Sequence, residues 1–181
     1  MRMTTSDEAL ALAAANGDGE AFSTLIQRHY DRVHRMAWRL TGSQPDAEDL
    51  AHDILTALPA KLGGFRAEAR FTTWLYRVVM NAATDRARKA QRRARARDGW
   101  GEDFKRLEAE AQEARESYDW LQTAMSALPP ELRDTVALTL GEDLTQAQAA
   151  DVLGVSEGTV AWRMSEVKKH LREMAEKEAR L

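Results

Sequence analysis

No cysteine occurs in the 181 residues, so the chain has no disulfide, no thiolate nucleophile and no cysteine-ligated zinc, and any redox or metal sensing belongs to a partner. A run of about eighteen apolar residues is missing too, and the N-terminus, Met1-Arg2-Met3-Thr4-Thr5-Ser6-Asp7-Glu8, turns acidic where a signal peptide would turn apolar. A cytoplasmic protein with no direct membrane insertion is expected. The four histidines, His29, His34, His52 and His170, lack zinc-motif spacing, and neither a glycine-rich phosphate loop nor a nucleophile elbow is present. No catalytic residue, metal ligand or cofactor is therefore assigned, and the expectation is a protein that is not an enzyme. No stretch alternates with period two, which removes strands from the reading.

What is present is helix. Hydrophobic residues make up 44% of the chain and charged residues 30%, the balance of a folded protein and not of a disordered tail. The net charge of −3 argues against a free-standing nucleic-acid binder, yet it averages two unlike halves. Residues 1–100 hold 16 Lys/Arg against 12 Asp/Glu, whereas residues 101–181 hold 10 against 17.

A short helix capped by Ser6 ends at Asn16-Gly17. Between Gly19 and Leu40, Phe22, Leu25, Ile26, His29, Val33, Met36, Ala37 and Leu40 form one apolar stripe, opposite a basic face of Arg28, Arg32, Arg35 and Arg39. His29 lies on that stripe and reads as a packed core residue. A third helix starts near Asp46 and gives way at Pro59 and Gly63-Gly64 to a loop. A fourth begins near Thr72 or Thr73, buries Trp74, Leu75, Val78, Val79 and Ala82, and continues into Arg86–Arg97, where seven of twelve residues are cationic. From Asp98 to Asp119 the balance reverses to eight acids and three bases. The expected architecture is all-α: two small helical domains, residues 1–97 and 118–181, joined by a flexible acidic linker, 98–117, whose Trp100, Phe104 and Leu107 are too sparse to form a core.

The second domain carries the most specific local signal. Thr145 with Gln148 makes a capping-box pattern, Gly154 suits a left-handed turn, and Ser156 caps a last helix buried through Val160, Met164, Val167 and Leu171. Small Ala150, then Gly154, then Val160 have the offsets of a helix-turn-helix, although a plain helical hairpin shares the pattern.

Four segments together resemble the extracytoplasmic-function sigma factors. Phe65-Arg66-Ala67-Glu68-Ala69-Arg70-Phe71-Thr72-Thr73-Trp74-Leu75-Tyr76-Arg77-Val78-Val79-Met80-Asn81 looks like their promoter-melting segment. Asp46-Ala47-Glu48-Asp49-Leu50 is similar to their core-polymerase-binding helix. Leu128-Pro129-Pro130-Glu131-Leu132-Arg133 and Ser156-Glu157-Gly158-Thr159-Val160 are similar to their C-terminal domain. The resemblance implies an alternative sigma factor of stress-response type whose partners are core RNA polymerase, at its clamp and flap, promoter DNA and an anti-sigma factor.

By the same resemblance, Asp46, Glu48, Asp49 and Asp53 face polymerase, although a solvated helix face looks alike. Phe65, Phe71 and Asn81 receive an unpaired base at the minus-10 element, while Arg86, Arg88 and Lys89 hold phosphates there. Trp74 reads as core instead, and the acidic linker points toward the polymerase RNA channel. At minus-35 the assigned residues are Thr159, Trp162, Arg163, Ser165, Glu166, Lys168 and Lys169, with Glu166 set to accept from cytosine amino groups and Arg163, Lys168 and Lys169 set on phosphates. Ala161-Trp162 and Ser165-Glu166 depart from the basic residues usual there. Two other classes fit the residues alone: an autonomous, dimeric helix-turn-helix regulator, and an adaptor that reads no DNA.

Overall fold

The computed structural model describes residues 5–96, 119–142 and 144–178. Within these, all regular structure is helical: α1 (Asp7–Ala15), α2 (Gly19–Thr41), α3 (Gln44–Leu62), α4 (Phe71–Ala96), α5 (Asp119–Ala127), α6 (Pro130–Thr139), α7 (Gln146–Leu153) and α8 (Glu157–Glu178). The all-α expectation holds; the acidic linker 98–117, with Trp100, Phe104 and Leu107, lies outside the described residues.

Local chemistry sets most helix ends. Ser6 Oγ accepts from the Ala9 amide, and Asp18 Oδ1 accepts from the amides of Glu20 and Ala21 at 3.0 Å each, satisfying donors that have no partner inside their own helix. α2 ends at Gly42, whose φ of 69° suits glycine. α3 begins at Gln44, ahead of the expected Asp46, because Ser43 is the cap and Pro45 sits in the first turn, where its missing N–H costs nothing. Pro59 does not end α3. It falls in the last turn, and burial of Leu58 and Leu62 keeps the helix going to Leu62 despite the lost hydrogen bond.

α4 begins at Phe71, one residue before Thr72 and close to the start expected from sequence. The Phe71 amide donates to Glu8 Oε1 at 3.0 Å, so α1 supplies the cap from 63 residues away. That hydrogen bond draws the Glu8 carboxyl below its ordinary range.

The stripe of α2 is buried as read, with Leu25, His29, Val33, Met36 and Leu40 inside and Phe22 and Ile26 partly covered. Around it α1, α3 and α4 close one bundle. This core does not stop at the first domain. Ala137 and Leu138 of α6, Ala149, Ala150 and Val152 of α7 and Val160 of α8 belong to the same contiguous apolar cluster as Leu25, Ile54 and Leu75. Among the described residues, Leu128, Leu132 and Val167, with Met125, Val136 and Leu171 beside them, form a separate small core in the second domain. α6 lies along α2, and α7 along α4.

Leu138 is fully buried in that common core. Leu138→Ala should cost about 2–5 kcal/mol, and hydrogen exchange should accelerate in α2 and α4 as well as in α6. Acceleration confined to residues 119–178 would mean that the halves are energetically separate.

Candidate nucleic-acid interface

The second domain forms the helix-turn-helix that its sequence announces. The Thr145 amide donates to Gln148 Oε1 at 2.9 Å, and the Gln148 amide to Thr145 Oγ1 at 3.2 Å, completing the capping box. Gly154 takes φ 67° at the turn, and the Thr159 amide donates to Ser156 Oγ at 3.1 Å. Ala150 and Val160 are buried behind the turn, fixing which side of α8 faces outward. That outward side shows Trp162, Ser165, Lys168 and Lys169 to solvent, with Thr159, Arg163 and Glu166 half-buried. Thr159 Oγ1 lies 2.8 Å from Ser156 Oγ, so its hydroxyl is engaged in the cap. Trp162 is 61% exposed, the largest apolar side chain presented on this helix.

In the first domain, the structure separates residues that the sequence grouped. Phe65 and Phe71 are 6% and 1% exposed, and their rings meet edge-on at 5.7 Å. Trp74 packs on both, at 5.4 and 5.7 Å, and His29 lies 5.2 Å from Phe71. The two phenylalanines are thus framework here and present no face to a base. Trp74 is half-buried against the core, as read. Asn81, Arg88 and Lys89 are exposed on α4. The loop before α4 puts Ala67 at φ 55°, a left-handed conformation that strains a residue with a Cβ, and encloses with Trp74 and Arg77 a cavity of about 120 Å³.

Arg86 lies apart from the other two phosphate candidates. Its guanidinium reaches Asp46 at 2.7 Å, Asp49 at 3.4 Å and Asp53 at 3.9 Å, joining α4 to the carboxylates assigned to polymerase. The hydrogen bond to Asp46 is the main reason its pKa rises further. Glu48 accepts instead from Gln44 at 2.7 Å.

Sequence reading missed the polar contact between the halves. Glu142, just after α6, has a side chain only 4% exposed, and the donors that meet it come from the first domain. Arg39 Nη1 donates to Oε1 at 2.6 Å and the Tyr76 hydroxyl to Oε2 at 2.8 Å. Arg32 Nε stands 3.3 Å from Oε2, near enough for charge attraction but not aligned as a hydrogen bond. Burial and the hydrogen bond to Glu142 push the Tyr76 hydroxyl far above its ordinary pKa. Arg32 Nη1 donates in turn to His29 Nδ1 at 3.1 Å; because arginine only donates, His29 Nε2 carries the proton and donates to Asp7 Oδ2 at 2.8 Å. Burial holds the His29 pKa down despite Asp7. Arg77 donates to Asp151 Oδ1 at 2.6 Å and to its carbonyl at 2.9 Å, and Arg133 reaches the Leu40 carbonyl at 3.3 Å. No i, i+4 spacing or motif marks any of these pairs.

Comparison with known proteins gives both halves a family. The description Sigma-70 region 2 matches residues 25–93, and Sigma-70, region 4 matches residues 118–171. Among curated proteins, the ECF RNA polymerase sigma factor SigM of Mycobacterium tuberculosis is 32% identical over 172 residues, covering 94% of this chain and 85% of SigM. The chain belongs to the extracytoplasmic-function sigma factors. SigE of Mycolicibacterium smegmatis is 33% identical over 180 residues, 93% of this sigma factor and 68% of SigE. Among solved structures, CnrH in complex with the cytosolic domain of CnrY has a TM-score of 0.70 at 25% identity, covering 96% of this chain and 99% of that one. RpoE of Bartonella quintana in complex with the anti-sigma factor NepR has the same fold, with a TM-score of 0.71 at 21% identity over 87% and 98% of the two chains.

Between the two matched regions lies a cleft of about 530 Å³ whose walls include Ala83, Thr84 and Arg88 of α4 and Asp134 of α6. Burial raises the Asp134 pKa to about 6. A carboxyl raised in the folded state opposes folding when ionised, above that pH, and the opposition fades as pH falls from about 6 toward its unfolded value. Asp134→Asn of this sigma factor should raise stability by about 1 kcal/mol at pH 8, and should leave urea denaturation at pH 4 nearly unchanged. His29, with its depressed pKa, acts the other way by favouring the unfolded state on acidification, so the comparison must be variant against wild type at each pH. An equal effect at both values would refute the assignment to Asp134.

Proposed function

We propose that this sigma factor is a non-enzymatic, cytoplasmic initiation factor that binds core RNA polymerase through its first domain and reads promoter DNA with both. The observation that carries the reading is the order of the two matched regions on one chain, region 2 over 25–93 and region 4 over 118–171. Each meets a surface suited to it: exposed Asn81, Arg88 and Lys89 on α4, and the outward face of α8.

In this reading Asp46, Glu48, Asp49 and Asp53 are the acidic face that meets the polymerase clamp. A base leaving the stack at minus-10 is received beside Asn81 and the loop cavity, while Phe65 and Phe71 shape that loop from beneath. Arg88 and Lys89 hold phosphates, and Arg86 joins them once a basic polymerase surface replaces it on Asp46 and Asp49. On α8, Trp162 offers an apolar surface to a thymine methyl, Glu166 accepts from a cytosine amino group, Arg163, Lys168 and Lys169 take phosphates, and Thr159 and Ser165 frame the contact. Control by an anti-sigma factor belongs to the same reading, supported by the partner in the solved complex of Bartonella RpoE with NepR.

Core polymerase supplemented with this protein on sheared genomic DNA should yield discrete RNA 5′ ends that share two upstream motifs. No new starts, together with no binding to core, would favour an autonomous regulator with palindromic sites. Lys169→Ala should weaken promoter binding by the holoenzyme evenly across sequences and reduce the slope of log affinity against log salt by about one. Glu166→Ala should instead relax preference at a single minus-35 position, by about 1–3 kcal/mol of discrimination; a uniform loss would reassign Glu166 to a structural part.

A further inference from the structure

We infer that the cleft between the start of α6 and the outward side of α8 is a slot for the C5-methyl group of a pyrimidine in the minus-35 element, walled by Trp162, Pro129 and Leu132. Through it this sigma factor reads thymine and 5-methylcytosine alike and tells both from uracil and cytosine. The inference rests on the proposed function and names the chemical group that its second DNA site takes.

Three observations build the slot. Trp162 is 61% exposed although α8 buries Val160 and Val167 on its other side, so packing within the chain does not account for an indole at this position. The indole does not lie on open surface either. With Pro129, the N-cap of α6, and Leu132, three residues further on, it bounds a cavity of about 280 Å³, room for a methyl group and the base edge that carries it. Finally, the walls are fixed in advance. Leu132 is 6% exposed and belongs to the small core that it forms with Leu128 and Val167, so residues of the second domain set the floor. His170, which lines the cleft as well, is anchored by its Nδ1, which donates to the Glu166 carbonyl at 3.0 Å.

Charge at the rim selects what enters. Glu131 and Glu166 also line the cleft, and two carboxylates repel a phosphate. Backbone contacts therefore fall to the exposed Lys168 and Lys169, and the cleft is left to a base edge. Guanine shows only acceptors in the major groove, which the same carboxylates repel, whereas thymine alone of the four bases carries a methyl group there. A methyl group gains from apolar walls, and covering one is worth about fourfold in affinity. Glu166, one turn further along α8, accepts from the amine of a neighbouring cytosine, so the slot itself senses the methyl. 5-Methylcytosine offers that methyl at the same place in the pair, whereas cytosine and uracil leave the slot unfilled.

The test replaces each thymine of the minus-35 element of a bound promoter, on either strand and one at a time, by uracil, which lacks only the methyl, and measures binding of the holoenzyme. One position should lose about fourfold in affinity. At that position 5-methylcytosine opposite guanine should bind about fourfold tighter than cytosine opposite guanine. Trp162→Ala, at an exposed position, should bind more weakly and no longer distinguish either pair, while Glu166→Ala should still distinguish both. Uracil without effect at every position, or the same loss in Trp162→Ala as in the wild type, overturns the slot. So does a Trp162→Ala that weakens assembly with core and leaves the discrimination intact, because the cleft then holds a protein side chain. Promoters bound normally but insensitive to the methyl leave the proposed function standing; a protein that binds no core, or a holoenzyme that binds no promoter, overturns that function and the slot with it.

Discussion

One buried carboxylate, Glu142, ties the architecture together. It comes from the second domain, and the groups that hold it are side chains of α2 and α4. A charge with so little access to water is tolerable only when its partners are fixed, and those partners are fixed because Tyr76 and Arg39 project from helices already packed in the first domain. An ion pair from Glu142 to Arg32 leads on to hydrogen bonds from Arg32 to His29 and from His29 to Asp7, so the N-terminal helix is connected to the second domain by a chain of polar contacts. Removing a member of such a chain leaves a neighbour buried and unpaired, which is costlier than the loss of one surface ion pair.

The apolar side of the same contact follows from size. A helix-turn-helix of about sixty residues buries too little surface to be stable with much margin. Its small independent core rests on Leu128, Leu132 and Val167; the faces of α6 and α7 carrying Leu138, Ala149 and Val152 are completed by the first domain. The alanines there allow close approach, and polar contacts of Glu142, Asp151 and Arg133 with the first domain accompany the apolar ones.

The arrangement of charge has a matching logic. Arg86 belongs by position to the cationic end of α4 and by contact to the acidic face of α3. Its ion pairs are partly exposed and therefore modest in energy, so a partner with a basic surface can take over Asp46 and Asp49 at little cost. Under the proposed function, polymerase docking and phosphate binding would compete for this single side chain.

Sequence by itself determined the helices and the helix-turn-helix. Ser6, the Thr145–Gln148 box and Gly154 act through neighbours within a few residues, and the α2 stripe of Leu25, Val33 and Met36 reports burial by its period alone. The outward set on α8 was legible for the same reason, since burying Val160 and Val167 dictates what faces away. Tertiary structure alone decided what depends on residues far apart: the cap that Glu8 gives to Phe71, the burial of Phe65 and Phe71 as framework, the seat of Arg86 on the α3 carboxylates, and the closing of the two halves around Glu142. The physical reason is range. Caps and periodicities are written in dihedral angles and near neighbours, whereas an ion pair spanning a hundred residues leaves no local mark and exists only once the helices have packed.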